Sequence, residues 1–189
     1  MSSKPSSPSR KTGEKTKLQE KTKKKMKRKS STALYLTRGA MIAAMYVALT
    51  YLSSLFGLSS GVIQFRISEA LCIMPIFFPE AILGLTVGCI ISNLLTEAVI
   101  WDIIFGSLAT LIGALGARLM KKLPAKLIFL STLPTILANA IIVPFILMFA
   151  YGAAGAYPFF FLTVGLGEVV CAGIGGTLLY FALRKTKLK

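Results

Sequence analysis

The sequence predicts an all-α membrane protein of six transmembrane helices, both termini cytoplasmic, preceded by a disordered basic tail. Three observations carry this expectation. The 189 residues are 54% hydrophobic, and from about residue 38 onward apolar runs of membrane length follow one another with short breaks. Runs with so little polar face suit a bilayer and do not suit a water-soluble core. Lys and Arg are confined to a few groups, twelve of the 22 in residues 1–30. Finally, five of the seven acidic residues (Glu69, Glu80, Glu97, Asp102 and Glu168) sit inside the apolar body. An ionisable side chain there costs roughly 2.5–3.5 kcal/mol on insertion scales and marks a pathway or a ligand site.

The tail, residues 1–33, is rich in Lys and Ser and nearly free of apolar side chains. It has nothing to bury against the entropy of ordering, so disorder is expected. Such a tail attracts anionic lipid or nucleic acid. Its simplest role is to fix topology from the cytoplasm, and no nucleic-acid partner is expected. The apolar run behind it is too long for a signal peptide and lacks a small-residue cleavage site. Residues 34–189 then form the membrane domain.

Candidate spans are 38–57, 62–78, 80–97, 103–120, 126–150 and 158–183, separated by turn chemistry at Gly57 to Gly61, Pro79-Glu80, Trp101-Asp102, Lys121 to Pro124 and Tyr151 to Pro158. Charge bias decides whether 62–97 is one kinked helix or two. Basic residues concentrate on the cytoplasmic side. They fall into the tail with Arg38, then Arg118, Lys121, Lys122 and Lys126, then Arg184, Lys185, Lys187 and Lys189. An even number of crossings must separate the groups, and only a break at Pro79 provides it. Arg66 is then the sole basic residue outside. The second and third spans are short, about 25 Å at ~1.5 Å per residue against a ~30 Å hydrocarbon layer.

Composition also removes function classes. Histidine is absent, which excludes His-based zinc sites and Ser–His or Cys–His nucleophile pairs. Cys72, Cys89 and Cys171 show no CxxC spacing and read as small apolar fillers. No GxxxxGK[ST] phosphate loop occurs, so the chain does not hydrolyse ATP by the common route. No cofactor, metal or catalytic residue is expected.

What remains are polar groups at one depth. The second span opens with Gln64, Arg66 and Glu69, the last two on one helical face and able to pair. Asn93 and Glu97 share a face of the third, Trp101 and Asp102 lie in the next outer turn, Asn139 is in the fifth and Glu168 in the sixth. Carboxylates and amides gathered this way suit a ligand rich in N–H donors, since a carboxylate accepts two parallel hydrogen bonds or pairs with an ammonium. Trp101 or Phe65 could stack on a planar ring. On the first span Ala40, Ala44 and Ala48 form a stripe of small residues, which in lipid lets another helix approach closely. That helix belongs either to the bundle itself or to a separate membrane subunit.

Ile63 to Leu71, Trp101 to Leu111 and the Gly167-Glu168 pair resemble signatures of the QueT family. The resemblance covers roughly 34–185. It implies the substrate-binding (S) component of an energy-coupling-factor (ECF) importer for queuosine precursors, deazaguanines such as preQ1 or queuine, in the cell membrane. It also implies a transmembrane coupling subunit, docked on the alanine motif, and two cytoplasmic ATPases. The alternatives are an S component for another vitamin-like or purine-like solute, and a structural membrane subunit or channel whose polar residues only hold helices together. A lipid-modifying enzyme is disfavoured by the lack of any DxxxD pattern.

Overall fold

The computed structural model describes residues 9–57 and 65–186, with side chains from residue 32 onward in those ranges, and no strand occurs among the described residues. Six helical segments follow in chain order: α1 Ser9–Leu55, α2 Ile67–Ile76, α3 Ala81–Leu95, α4 Ile100–Leu119, α5 Ala125–Phe149 and α6 Tyr157–Lys185. Thr32–Leu55 within α1, and the whole of α4, α5 and α6, are long and apolar enough to cross a bilayer. By contact the chain divides between Thr37 and Arg38.

The first unit is helical from Ser9, where composition predicts a disordered tail. Lys, Arg, Gln and Glu are good helix formers, and no proline follows Pro8 in this stretch. A segment with no core to bury still has local propensity, and that propensity sets its backbone here.

In the second unit α2 departs most from expectation. The sequence predicts a span over 62–78, whereas α2 is a ten-residue 3-10 helix, Ile67–Ile76, containing Pro75. The tighter winding rises ~2.0 Å per residue, so these residues reach about 20 Å where an α-helix would reach about 15 Å. The Arg118 guanidinium closes its far end, donating to the Pro75 carbonyl at 2.9 Å and the Ile76 carbonyl at 3.1 Å. Carbonyls at a helix end otherwise lack partners.

The break at Pro79 is present, and α2 and α3 are separate segments. Glu80 in that break pairs with Arg38 at 3.5 Å, and the Arg38 guanidinium lies 5.2 Å from the centre of the Phe78 ring. The Phe77 ring packs tilted against that of Tyr180 of α6, their centres 5.2 Å apart. Arg38, Arg118 and the last turns of α6 therefore share one end of the bundle. The apolar core beneath them is built from Ile42 and Tyr46 of α1, Leu71, Cys72 and Met74 of α2, Leu85 and Cys89 of α3, and Ala114 of α4.

Helix α1 runs against α2 through polar contacts. Ser53 Oγ accepts the Ile67 N–H at 3.1 Å, and Thr50 Oγ1 donates to Ser68 Oγ at 2.7 Å. Against α3 it packs by close approach, because a Cβ at Gly84 would stand 2.5 Å from the Gly39 carbonyl oxygen. Backbone cannot yield as a flexible side chain does, so Gly84→Ala forces α1 from α3. We expect a loss of about 1–3 kcal/mol, read as a lowered detergent-solubilised melting temperature; an unchanged melting temperature counts against the contact.

Helix α6 has a local change of pitch. It is α-helical from Tyr157 to Glu168, π-helical over Val169–Gly175, and α-helical again from Gly176. Gly176 packs against the Ala70 carbonyl and Ile73 of α2. Single-turn π segments concentrate at functional positions.

Candidate functional site

At the end opposite Arg38, four elements contribute to one ion-paired layer. Arg66, just before α2, bonds Asp102 Oδ2 at 3.1 Å through one guanidinium nitrogen and Asn93 Oδ1 at 3.4 Å through the other. Asn93, on α3 and 0% exposed, also donates from Nδ2 to the Asp102 carbonyl at 3.1 Å. Asp102 lies in the first turn of α4, where the positive end of the helix favours a carboxylate. From the loop after α5, the Tyr151 hydroxyl donates to Asp102 Oδ2 at 3.3 Å and accepts the Val99 N–H at 3.4 Å. Burial, then the nearby Asp102 charge, pushes the Tyr151 phenol above its ordinary range, so it remains a hydrogen-bond donor at neutral pH.

A second carboxylate group adjoins the first. Glu69 is 2% exposed, and its two oxygens accept from the Tyr46 hydroxyl of α1 and, at 3.1 Å, from the Cys72 thiol. Glu168 of α6 is 7% exposed; its electrostatic neighbours are Glu69 and Arg66, and the Asn139 side chain of α5 adjoins it. Glu168 Oε2 and Asn139 Nδ2 are buried without a hydrogen-bond partner, as is Asp102 Oδ1. A buried polar atom left unpaired costs about 1–3 kcal/mol. Two of these, Glu168 Oε2 and Asn139 Nδ2, adjoin, an acceptor beside a donor.

Of the residues expected from sequence, Arg66, Glu69, Asn93, Asp102, Asn139 and Glu168 are all buried or nearly so and fall into these two adjoining layers. The partnership differs from expectation. Arg66 pairs with Asp102 of α4, and Glu69, three residues along, takes neutral donors instead. Arg66 precedes α2 in extended conformation, so it lies off any helical face shared with Glu69.

Two other residues stand apart. Trp101 is 54% exposed and stacks on Phe105 at 6.0 Å, lining an apolar groove of about 490 Å³ with Phe145 and Phe149. Its neighbour Asp102 turns inward, and consecutive helical residues cannot share a face. Glu97 is exposed with φ 54°. It forms the left-handed turn closing α3, with the Ala98 N–H bonded to the Asn93 carbonyl at 3.0 Å. Gln64 lies outside the described residues.

Tyr46, Thr50, Ser68, Cys72 and Tyr151 were not anticipated. A signal for the first two exists: Tyr46, Thr50 and Ser53 recur at spacings of four and three, a polar stripe on one face of α1. The small residues of the other face hide it. Cys72 and Cys89 are buried free thiols, but both touch the polar layers and are more than filler. Ala40, Ala44 and Ala48 are exposed and line a groove of about 880 Å³ between α1 and α3, with Val87, Ile91 and Leu95 opposite.

A stretch of 73 residues, 39% of the chain, is 44% identical to the queuosine precursor transporter QueT of Lactococcus lactis subsp. cremoris (strain MG1363). The aligned stretch spans 43% of that relative's length. No solved structure matches the chain. The family model described as QueT transporter matches residues 36–185, which takes in every described helix of the second unit. The chain is a multi-pass membrane protein and belongs to the QueT transporter family.

Proposed function

We propose that this chain is the substrate-capture subunit of an ATP-driven ECF-type importer, and that it takes a queuosine precursor, a deazaguanine such as preQ1 or queuine. The single observation that supports it most is the meeting of Glu69, Asn139 and Glu168, from three helices, with unpaired polar atoms left among them. A deazaguanine edge offers adjacent N–H donors to one carboxylate, and an aminomethyl ammonium offers a charge to another. The name of the Lactococcus relative points to the same solute class. Arg66, Asn93 and Asp102 hold the outer wall of the site, and Gln64 adjoins it in sequence.

On this reading all six segments cross the plasma membrane, with both termini and residues 1–33 in the cytoplasm. Arg38 and Arg118 then mark the inner end, and Arg66 the outer. The exposed Ala40, Ala44 and Ala48 stripe and its groove accept a transmembrane coupling subunit, which carries two cytoplasmic ATPases. The test is mass spectrometry of small molecules co-purifying with the detergent-solubilised chain. A planar deazapurine is expected; recovery of an unrelated vitamin redirects the substrate, and turnover of a lipid overturns the transport reading.

A further inference from the structure

Two donors from different helices grip one carboxylate. Glu69 of α2, 2% exposed, accepts from the Tyr46 hydroxyl of α1 at Oε1 and from the Cys72 thiol at Oε2, the latter at 3.1 Å. Cys72 lies three residues along α2, a spacing at which 3-10 winding stacks side chains in one line. Tyr46 comes from outside that helix, so it ties the carboxylate to a separate element.

The tie is itself held in place. Tyr46 is 0% exposed and belongs to the apolar core with Ile42, Leu85 and Cys89. Helix α3 closes on its back, since a Cβ at Gly88 would stand 2.9 Å from the Tyr46 Cβ and 3.0 Å from the Ala43 carbonyl oxygen. Packed so closely, the ring keeps its position and its hydroxyl with it. Further along the same face of α1, Thr50 and Ser53 bond the Ser68 hydroxyl and the Ile67 N–H, which fixes the start of α2 against α1. A carboxylate has about four lone-pair positions, shared equally between its oxygens. With one on each oxygen taken by a protein donor, its plane is set, and one position per oxygen is left for a ligand, enough for two parallel N–H groups.

We propose that Tyr46, with Cys72, is a positioning residue for capture: it locks the Glu69 carboxylate in one orientation, and Glu69 is the group that reads a ligand's paired N–H donors. Tyr46 does not touch the ligand and acts through Glu69. The inference rests on the functional reading above, which it deepens by assigning the two-donor edge of the base to one of the two carboxylates. An unlocked carboxylate still attracts a single donor, but it no longer favours a pair of them.

Calorimetric titration of the detergent-solubilised full chain compares preQ1 with the same molecule lacking the amino group carried directly on its ring, which has one N–H donor fewer on that edge. The unaltered chain is expected to prefer preQ1 by about tenfold or more. In Tyr46→Phe, which keeps the ring and its packing, preQ1 is expected to weaken by about 5- to 10-fold and the analogue by less than about twofold. Cys72→Ala removes the weaker donor and is expected to narrow the preference by about two- to threefold. Thr50→Val breaks a hydrogen bond of the same α1–α2 seam without touching Glu69; a lowered melting temperature with the preference intact is expected.

Equal losses for both ligands in Tyr46→Phe mark a general effect on the fold and overturn the proposal, as does an unchanged preference in either Tyr46→Phe or Cys72→Ala. A preference that narrows as much in Thr50→Val assigns the effect to the seam and overturns it too. Equal binding of the two ligands by the unaltered chain overturns the proposal while leaving the functional reading standing. Failure of preQ1 to bind overturns both.

Discussion

Replacing Glu168 with Gln lowers ligand affinity by about 10- to 150-fold, the equivalent of one charge-assisted hydrogen bond at about 1.5–3 kcal/mol. The substitution keeps the size of the side chain and removes its ability to become an anion. Glu168 adjoins Asn139 and stands in the electrostatic reach of Glu69, at the junction between the α-helical and π-helical parts of α6. The matched control is Glu97→Gln. Glu97 is an acidic residue of the same apolar body, yet it is exposed in the turn after α3 and touches neither polar layer. Ligand retention on purified protein, compared between these two variants, separates a specific site from a general need for negative charge. Equal losses at both positions sink the site.

Replacing Arg66 with Leu has the larger effect on stability. It leaves Asp102 buried with its ion-pair partner gone, and removing one partner of a buried pair costs about 3–5 kcal/mol. On the scale of a chain this size that is a fall of about 10 °C in melting temperature. The double variant Arg66→Leu with Asp102→Asn is expected to recover much of the loss, because no uncompensated charge remains. A double variant no more stable than Arg66→Leu shows that the guanidinium acts through another partner, Asn93 being the nearest. Tyr151→Phe, which removes one donor to Asp102, is expected to cost far less, about 0.5–1.5 kcal/mol.

The helical segments and the polar layer were legible in the sequence for different reasons. Segment boundaries follow from turn chemistry and charge parity, and the break at Pro79 is where those arguments put it. Arg66, Glu69, Asn93, Asp102, Asn139 and Glu168 announce themselves because a polar side chain in an apolar run needs a partner. Pitch was not legible. Nothing in residues 67–76 separates 3-10 from α winding by pattern alone, and Arg66 finds another partner because it lies in extended backbone before the helix. Trp101 misled for a related reason, since adjacency to Asp102 in sequence is opposition around the α4 axis. Tyr46 was overlooked because a lone tyrosine in an apolar run resembles packing until its hydroxyl is seen to meet Glu69. In the first unit, composition spoke of solvation while the backbone followed local propensity.

The π-helical stretch of α6 has a geometrical consequence. Winding through Val169–Gly175 with i→i+5 bonding accommodates a residue that an unbroken α-helix would place elsewhere, and one residue is about 100° of azimuth. Two anchors stand on either side of it: the Glu168 carboxyl above, and the Tyr180 ring against Phe77 below. Were the stretch to relax to ordinary winding, the rod could satisfy only one of them at a time. The bulge thus acts as a clutch between the chamber and the far rim, fixing the rotational phase of one against the other.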